Sequence, residues 1–255
     1  MALIFTGATS DRVDCGTNAG ISDLTTWSYI AWVYPTSLGN VRLICSKGTS
    51  GVKRFDFNGT TGNIEMLHLR ATSSLSYITN DTPLSGTNAW YFVAGTCDTG
   101  GTAGSLAALY TGTLTTTVAQ RGVTALDGSG ALTAEGGQNF IIGNRTNADR
   151  AWTGKIAMVG AWNRVLTLAE LRDLQFSPRK TSGCVGFWIL NGTGTQADWS
   201  GSGLPGTVTG ATQSSHVPIR RPFRVVDPLV GLGTAAAASS VVPVIDRQYR
   251  ARWAA

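Results

Sequence analysis

Short runs of β-branched and aromatic residues recur along almost the whole chain, and most of them end in Gly, Asn, Asp or Thr. The clearest runs are LIFTG, TWSYIAWVYP, VRLICSKG, RFDFNG, IEMLHLR, SYITND, WYFVAGTCD, SLAALYTGTL, NFIIGN and KIAMVGAW. Runs of this length, separated by turn residues, predict many short β-strands. Because the chain has 32 glycines and few helical periods, the pattern favours an antiparallel sandwich or barrel.

One segment departs from this pattern. LTLAELRDLQF places Leu168, Leu171 and Leu174 at helical spacing. Thr167 can cap the start of a helix, and Glu170, three residues later, can complete a capping box. The sequence therefore predicts one short amphipathic helix over residues 167–176, lying against a β body.

Five motifs occur in an order that resembles a known family. They are LIFTGATSDRVDCGT, TWSYIAWVYPTS, NAWYFVAGTCD, FIIGNR and WTGKIAMVGAWNRVLTLAELRDL. Together they resemble laminin G-like domains of the concanavalin A-like lectin and glucanase superfamily over residues 3–176. The resemblance implies an all-β jelly-roll sandwich of two antiparallel sheets with one short helix.

A later stretch, GFWILNGTGTQADWSGSGLPGTVTGAT, resembles a segment found beside such domains. Too little chain follows it to close a second sandwich. We therefore expect residues 184–212 to add strands to the same body, so that one jelly roll spans residues 1–215 around a core at 3–176. Its DWSGSGLPG departs from the family pattern by losing two Asn, which weakens the inference of a calcium site there, and we assign no metal-binding residue.

Two strand motifs are apolar on both of their alternating faces. In YIAWVY, the alternating residues on the face that contains Tyr34 and those on the opposite face are all apolar. In KIAMVGAW, Ala157 and Met158 occupy positions where the family has acidic residues. A strand with one face in water should instead alternate polar and apolar residues. We expect both faces to be covered, either by the chain's own C-terminal extension or by another subunit, and we take Tyr34 and Met158 as candidate partner-binding residues.

Charge is unevenly distributed. Residues 1–215 hold 14 basic and 13 acidic side chains, whereas residues 216–255 hold 6 and 2, which is +4 of the net +5. A nearly neutral body argues against a nucleic-acid surface. The chain has no apolar run of membrane-spanning length and no secretory signal pattern. We expect synthesis in a host cytoplasm and no membrane insertion.

The last forty residues predict an extended basic C-terminal arm over residues 216–255. Four prolines and a Gly-Ala-Ser stretch prevent long helices. Such an arm buries little of itself, so we expect it to lie on a neighbouring subunit. Its candidate partner-binding residues are Arg220, Arg221, Arg224, Arg247, Tyr249, Arg250, Arg252 and Trp253. Nucleic acid is the weaker alternative, because +4 over forty residues is modest for a basic tail.

The sequence contains no residue pattern that is typical of a catalytic site. The only glutamates, Glu65, Glu135 and Glu170, form no motif that would project two carboxylates together, as glycosidases require. His68 and His216 are isolated, and the four cysteines lack CxxC spacing. We expect no catalytic residue, no cofactor and no enzymatic activity.

Glycan binding is the remaining small-molecule function. Jelly-roll lectins hold sugars in rim loops, with Asp or Asn for the hydroxyls and an aromatic ring for stacking. The candidates are Asp98, Asn144, Asn147 and Trp199. Other tryptophans fall inside strand motifs, so we expect them in the core.

These expectations combine into one leading hypothesis. The chain is a non-enzymatic structural protein of a large assembly, most simply a phage virion surface protein, either a capsid decoration protein or a tail- or fibre-associated adhesin. Its expected partners are other copies of itself, neighbouring virion proteins and, as a further candidate, a cell-surface glycan. The alternatives are a free carbohydrate-binding module and, as a distant third, a glycan hydrolase.

Overall fold

The structure is a computed structural model that describes residues 1–49, 51–58 and 62–219. Within these ranges the strands, in chain order, are β1 (Ala2–Thr6), β2 (Arg12–Asp14), β3 (Thr26–Pro35), β4 (Arg42–Lys47), β5 (Lys53–Asn58), β6 (Asn63–His68), β7 (Leu75–Thr79), β8 (Tyr91–Asp98), β9 (Ala107–Thr113), β10 (Ala119–Gln120), β11 (Val123–Leu126), β12 (Phe140–Ile142), β13 (Thr153–Trp162), β14 (Cys184–Ile189), β15 (Thr207–Thr209) and β16 (Thr212–Ser214). The α-helix of the described part, α1, spans Leu168–Phe176, and a 3-10 turn spans Ala19–Ile21.

The strands form two antiparallel sheets. The first sheet has the order β10-β9-β8-β3-β13-β1-β16, with β14 also paired to β13. The second has the order β11-β7-β6-β5-β4-β12-β2-β15. The predicted all-β jelly roll with two antiparallel sheets and one short helix is confirmed.

The main core lies between the two sheets. It buries large aromatic side chains, among them Trp27, Trp152 and Trp188. The rings of Phe140 and Trp188 stack at 5.1 Å between centroids. Alternation along the strands supplies these residues because every second side chain of a strand points to the same face.

The outer face of the first sheet carries a second apolar cluster. Strands β3, β8 and β13 contribute Trp32, Phe92 and Met158, and α1 lies over them with Leu171 and Leu174. Phe187 of β14 and Val217 also belong to this cluster, and the partly buried Ile219 packs against it. In the described residues this face is therefore covered by the chain itself, so no second subunit is needed to explain its apolar strands.

The helix forms where the sequence predicts it. The Thr167 hydroxyl accepts a hydrogen bond from the Glu170 backbone N–H at 3.3 Å, and the Glu170 carboxylate accepts one from the Thr167 backbone N–H at 2.9 Å. The indole N–H of Trp32 donates to the Gln175 carbonyl oxygen at 2.9 Å. This bond ties the last turn of α1 to the sheet below it.

The segment after the helix returns to both sheets. Strand β14 pairs with β13, with Phe187 opposite Gly160, while β15 pairs with β2 and β16 with β1. The domain boundary at residue 215 stays a prediction. The predicted arm lies outside the described residues from Arg220 onward.

No helix in the described part of the chain is both long and apolar enough to cross a bilayer.

Candidate functional site

The outer face of the second sheet is polar near strand β2. The three residues of β2 alternate, so that Val13 enters the core while Arg12 and Asp14 point outward. Thr209 pairs with Arg12, and Thr207 pairs with Asp14, on the neighbouring strand β15. This end of the second sheet therefore presents hydroxyl, guanidinium and carboxylate groups together.

Two adjoining cavities lie over this end of the sheet, with volumes of about 260 Å³ and 520 Å³. Both are lined by Arg12, Asp14 and Asn139. We call the combined depression the β2 groove. The smaller cavity is completed by Gly137, Gln138, Ile141 and Thr146, and the larger by Cys15, Gly16, Thr17, Gly203, Leu204, Pro205, Thr207 and Thr209.

Asp14 is held in a fixed orientation within the β2 groove. One carboxylate oxygen accepts the backbone N–H of Gly16 at 3.0 Å, and the other accepts the side-chain amide of Asn139 at 3.0 Å. A carboxylate offers about four acceptor positions, so these two bonds leave acceptor capacity on Asp14. Such a preorganised acceptor suits hydroxyl donors from a ligand.

The β2 groove also has apolar lining. Ile141, between Asp14 on one side and Ser46 on the other in the sheet, is almost fully buried, as is Leu204 in the loop before β15. Because each of these side chains is only 2% exposed, they offer a ligand little contact surface. Hydrogen bonding by the polar lining residues is thus the main contact that the β2 groove offers a ligand.

The predicted role of Asn144 in a glycan site is wrong. Asn144 is fully buried. Its amide nitrogen donates to the carbonyl oxygens of Thr9 and Asp11 at 3.0 and 3.1 Å, and its oxygen accepts the N–H groups of Arg145 and Arg150 at 2.9 and 3.2 Å. Because the side chain fills its hydrogen-bonding capacity within the fold, Asn144 organises its own loop and cannot meet a sugar.

The remaining glycan candidates lie in different places. Asp98 pairs with Thr26 at the start of β3, where its carboxylate accepts the Gly100 N–H at 3.0 Å and closes a turn. Asn147 is exposed in the loop that leads into β13, whose first residues pair near the end of β3. Asp98 and Asn147 therefore lie near opposite ends of β3. This strand has ten residues, which corresponds to a length of roughly 30 Å at about 3.3 Å per residue.

Trp199 occupies a third position. Its ring is 55% exposed, and its backbone N–H donates to the Phe187 carbonyl oxygen of β14 at 2.7 Å. It lies in the same loop as Gly203, Leu204 and Pro205 but is not among the residues that line the β2 groove. The structure therefore does not bring the sequence-predicted glycan residues together into one site.

Of the candidate partner-binding residues, two lie within the part of the chain that the structure describes. Met158 is 1% exposed and is covered by its own chain, so the expectation that it contacts a partner is wrong. Tyr34 is half-buried, with the Trp90 ring at 5.3 Å and the Lys155 ammonium over its face at 4.8 Å. The arm residues Arg220, Arg221, Arg224, Arg247, Tyr249, Arg250, Arg252 and Trp253 lie outside the described residues.

A pair of carboxylates that sequence reasoning missed lies on β5 and β6. Asp56 and Glu65 are directly opposite each other. Burial, together with the nearby charge of Glu65, raises the pKa of Asp56 to about 8 despite the opposing effect of Arg54. A protonated carboxyl beside a charged one is the arrangement that glycosidases use.

This pair is nevertheless closed to a substrate. Asp56 is fully buried and Glu65 nearly so. Glu65 already accepts hydrogen bonds from the Ser76 hydroxyl at 2.5 Å and the Asn58 amide at 2.7 Å, and Arg54 pairs with both carboxylates. The arrangement is a buried structural network in this conformation.

A second buried ionic network joins the start of β5 to the segment before β12. The Lys53 ammonium lies 2.5 Å from the Glu135 carboxylate and 4.4 Å from the centre of the Trp27 ring. Burial lowers the pKa of Lys53, and it lowers that of nearby His68 to about 4. Among the residues that the structure describes, no three His, Cys, Asp or Glu side chains gather as a metal site would require.

The alternation in SDRVDCGT was the sequence signal for the β2 groove. It predicts that Arg12 and Asp14 share a face. The alternation does not reveal the other walls of the groove. Asn139, whose side chain contacts Asp14, lies 125 positions away along the chain.

Comparison with known proteins identifies the fold. A family model described as the concanavalin A-like lectin/glucanases superfamily matches residues 7–172. No curated protein matches the sequence significantly. The predicted resemblance is confirmed by the family match.

Solved structures share the architecture at low sequence identity. A candidate carbohydrate binding protein from Bacteroides ovatus ATCC 8483 superimposes with a TM-score of 0.60 at 19% identity, over 86% of this chain and 61% of the other. Tailspike protein 2 of the Escherichia coli O157:H7 bacteriophage CAB120 gives 0.48 at 13%, over 74% and 30% of the two chains. The chain thus spans about three fifths of the first protein and less than a third of the second.

Proposed function

The chain belongs to the concanavalin A-like lectin/glucanases superfamily, and we propose that it is a non-catalytic carbohydrate-binding protein whose sugar site is the β2 groove. The observation that carries this proposal is the fixed carboxylate of Asp14, with Asn139 beside it in the lining of the groove. Sugar recognition needs hydrogen-bond acceptors for hydroxyls and an apolar surface for the ring. The similarity to the Bacteroides ovatus protein supports the fold, and the groove chemistry supports the function.

The non-catalytic part of the proposal is supported by the carboxylates. Asp56 and Glu65, which have the pairing that acid and base catalysis would use, are buried and already engaged. Asp14 is accessible, but its neighbours in the β2 groove are amides, hydroxyls and a guanidinium, with no second carboxylate in either lining. A single carboxylate is sufficient for binding, whereas hydrolysis of a glycosidic bond commonly needs two.

The test is a glycan array followed by calorimetry on wild-type protein and Asp14→Asn. Asp14→Asn keeps the size of the side chain but removes a charged acceptor, so we expect affinity for the array hits to fall about tenfold or more, the equivalent of a charge-assisted hydrogen bond. Asp173→Asn on helix α1 is the matched control, because Asp173 is exposed and remote from the second sheet. It should bind as the wild type does.

Three results would contradict the proposal. The first is the absence of binding to any glycan, the second is Asp14→Asn binding as tightly as the wild type, and the third is release of reducing ends from an array hit. Thermal melts of both variants check that the fold is retained.

We also propose the setting of this module: a virion surface, as a capsid decoration protein or a tail- or fibre-associated adhesin made in the host cytoplasm. The support is the composition of residues 216–255, where arginines and aromatic residues suit a protein interface. A free carbohydrate-binding module is the alternative. Size-exclusion chromatography separates the two, because an assembly protein elutes as an oligomer or particle and a free module elutes as a monomer.

A further inference from the structure

We infer that the β2 groove selects sugars that carry a carboxylate, such as uronic or sialic acids, and that Arg12 is the residue that binds this carboxylate. The inference rests on the proposed carbohydrate-binding function and adds the class of sugar. It follows from the state of the Arg12 guanidinium and from its position relative to Asp14.

Arg12 is half-buried in the wall common to both cavities of the β2 groove. Its guanidinium forms no hydrogen bond or ion pair with any residue that the structure describes. Five other arginines of the body pair with carboxylates, namely Arg54, Arg121, Arg145, Arg164 and Arg179, whereas Arg42, Arg70, Arg150 and Arg172 form no ion pair in the described structure and do not line the β2 groove. Arg12 thus keeps its planar donors available inside a cavity, where a ligand carboxylate can accept two parallel hydrogen bonds.

Asp14 does not neutralise Arg12. The two residues share a face of β2, but the oxygens of Asp14 are turned to the Gly16 N–H and the Asn139 amide. No ion pair joins the two side chains within the described structure. The β2 groove therefore contains a positive group and a negative group on the same face of β2, and only the negative group is held by hydrogen bonds within the described structure.

This arrangement distinguishes between classes of ligand. A neutral sugar would satisfy Asp14 with its hydroxyls but would leave the Arg12 donors to water. A compact polyanion would pair with Arg12 but would be repelled by Asp14. A carboxylated sugar fits both groups, because its carboxylate and its hydroxyl donors lie at different positions on the ring.

The size of the β2 groove is consistent with a mono- or disaccharide. The larger cavity, at about 520 Å³, lies within the range of about 300–1,000 Å³ that is usual for small-molecule sites. Thr207 and Thr209 add hydroxyls along the rim of this cavity. They lie directly opposite Asp14 and Arg12 on β15.

The experiment uses matched pairs of sugars that differ in one carboxylate: methyl glucuronide with methyl glucoside, methyl galacturonide with methyl galactoside, and sialyllactose with lactose. Affinities are measured by NMR titration of the full chain at physiological salt. We expect the wild type to prefer the acidic member of at least one pair by about tenfold, because a charge-assisted hydrogen bond is about twice as strong as a neutral one. A sulfated lactose is included as a non-planar anion.

Arg12→Gln should lose this preference, measured as the ratio of the affinities for the acidic and the neutral member of each pair. Arg12→Lys should keep part of the preference, because it retains the charge but not the planar fork. Arg172→Gln is the matched control, since Arg172 is exposed on helix α1 and carries the same charge. It should behave as the wild type does.

The outcomes separate the inference from the function on which it rests. If the wild type binds neutral and acidic members equally, or if Arg172→Gln lowers the acidic preference as much as Arg12→Gln does, carboxylate selection by Arg12 is overturned while carbohydrate binding stands. A stronger preference for sulfated lactose than for any carboxylated sugar overturns the assignment to carboxylates. If the wild type binds no sugar in the panel or on the array, both proposals fail.

Discussion

Asp56 is a residue whose environment opposes its ordinary charge state. It lies fully buried on β5, where burial and Glu65 raise its pKa to about 8, and the charges of Arg54 and Arg150 only partly offset this. The folded protein therefore holds a proton on Asp56 that the unfolded chain, with an ordinary aspartate pKa near 3.8, releases above that pH. Stability linked to this group is largest below about pH 4 and is lost as pH rises towards 8.

We expect Asp56→Asn to remove this dependence. In the window between about pH 4 and 8, the wild type should lose roughly 1.4 kcal/mol of unfolding free energy per pH unit through this one proton. Denaturant unfolding of both proteins across that window gives the difference in slope. Asp173→Asn serves as the control and should leave the slope unchanged, and equal slopes for wild type and Asp56→Asn would contradict the buried protonated state.

Helix α1 is the element that determines which outer sheet face is exposed to solvent and to a ligand. By placing Leu171 and Leu174 on the outer cluster of the first sheet, it removes that face from solvent. The second sheet keeps the polar residues of β2 and β15 exposed to the groove. The capping box at Thr167 stabilises the first turn of this helix.

Thr167→Ala should therefore lower the unfolding free energy by about 1 kcal/mol, the usual cost of an N-cap removal. Thr117→Ala is a suitable control, because Thr117 is an exposed threonine close to the same face, and it should change stability by less than about 0.5 kcal/mol. Denaturant melts report both values. A loss for Thr167→Ala no larger than that of the control would mean that the cap does not stabilise the helix.

The whole molecule combines a closed body with a C-terminal segment of different composition. The described body fills the space between its sheets and covers the outer face of the first sheet with residues up to Ile219. The apolar strands that suggested a second subunit are thus accounted for within the chain. The assembly hypothesis consequently depends on residues 220–255, which lie outside the described residues.

Deletion of residues 231–255 tests that hypothesis at the same scale. We expect the truncated protein to keep its melting temperature, because the described core contains none of the deleted residues. It should, however, lose oligomer or particle formation on size-exclusion chromatography. A chain shortened only by its last two alanines is the control, and normal assembly of the 231–255 deletion would remove the main support for the virion setting.

The sequence by itself determined the features that depend on neighbouring residues. Alternation predicted the strands, and the spacing of Thr167 and Glu170 predicted the capped helix. The order of strand motifs predicted the jelly roll through its resemblance to a family. These properties are local or recur along the chain, so they can be read without knowing which strands are adjacent.

Only the tertiary structure decided which polar residues meet. Asn144 looked like a loop residue available to a sugar, but two of its four partners, the carbonyl oxygens of Thr9 and Asp11, come from a segment more than 130 positions away along the chain. Asn139 joins Asp14 across 125 positions, and Asp56 meets Glu65 through strand register. An Asn or Asp looks the same in the sequence whether its side chain is buried in a hydrogen-bond network or exposed in a groove. Only the packing of distant segments distinguishes the two cases.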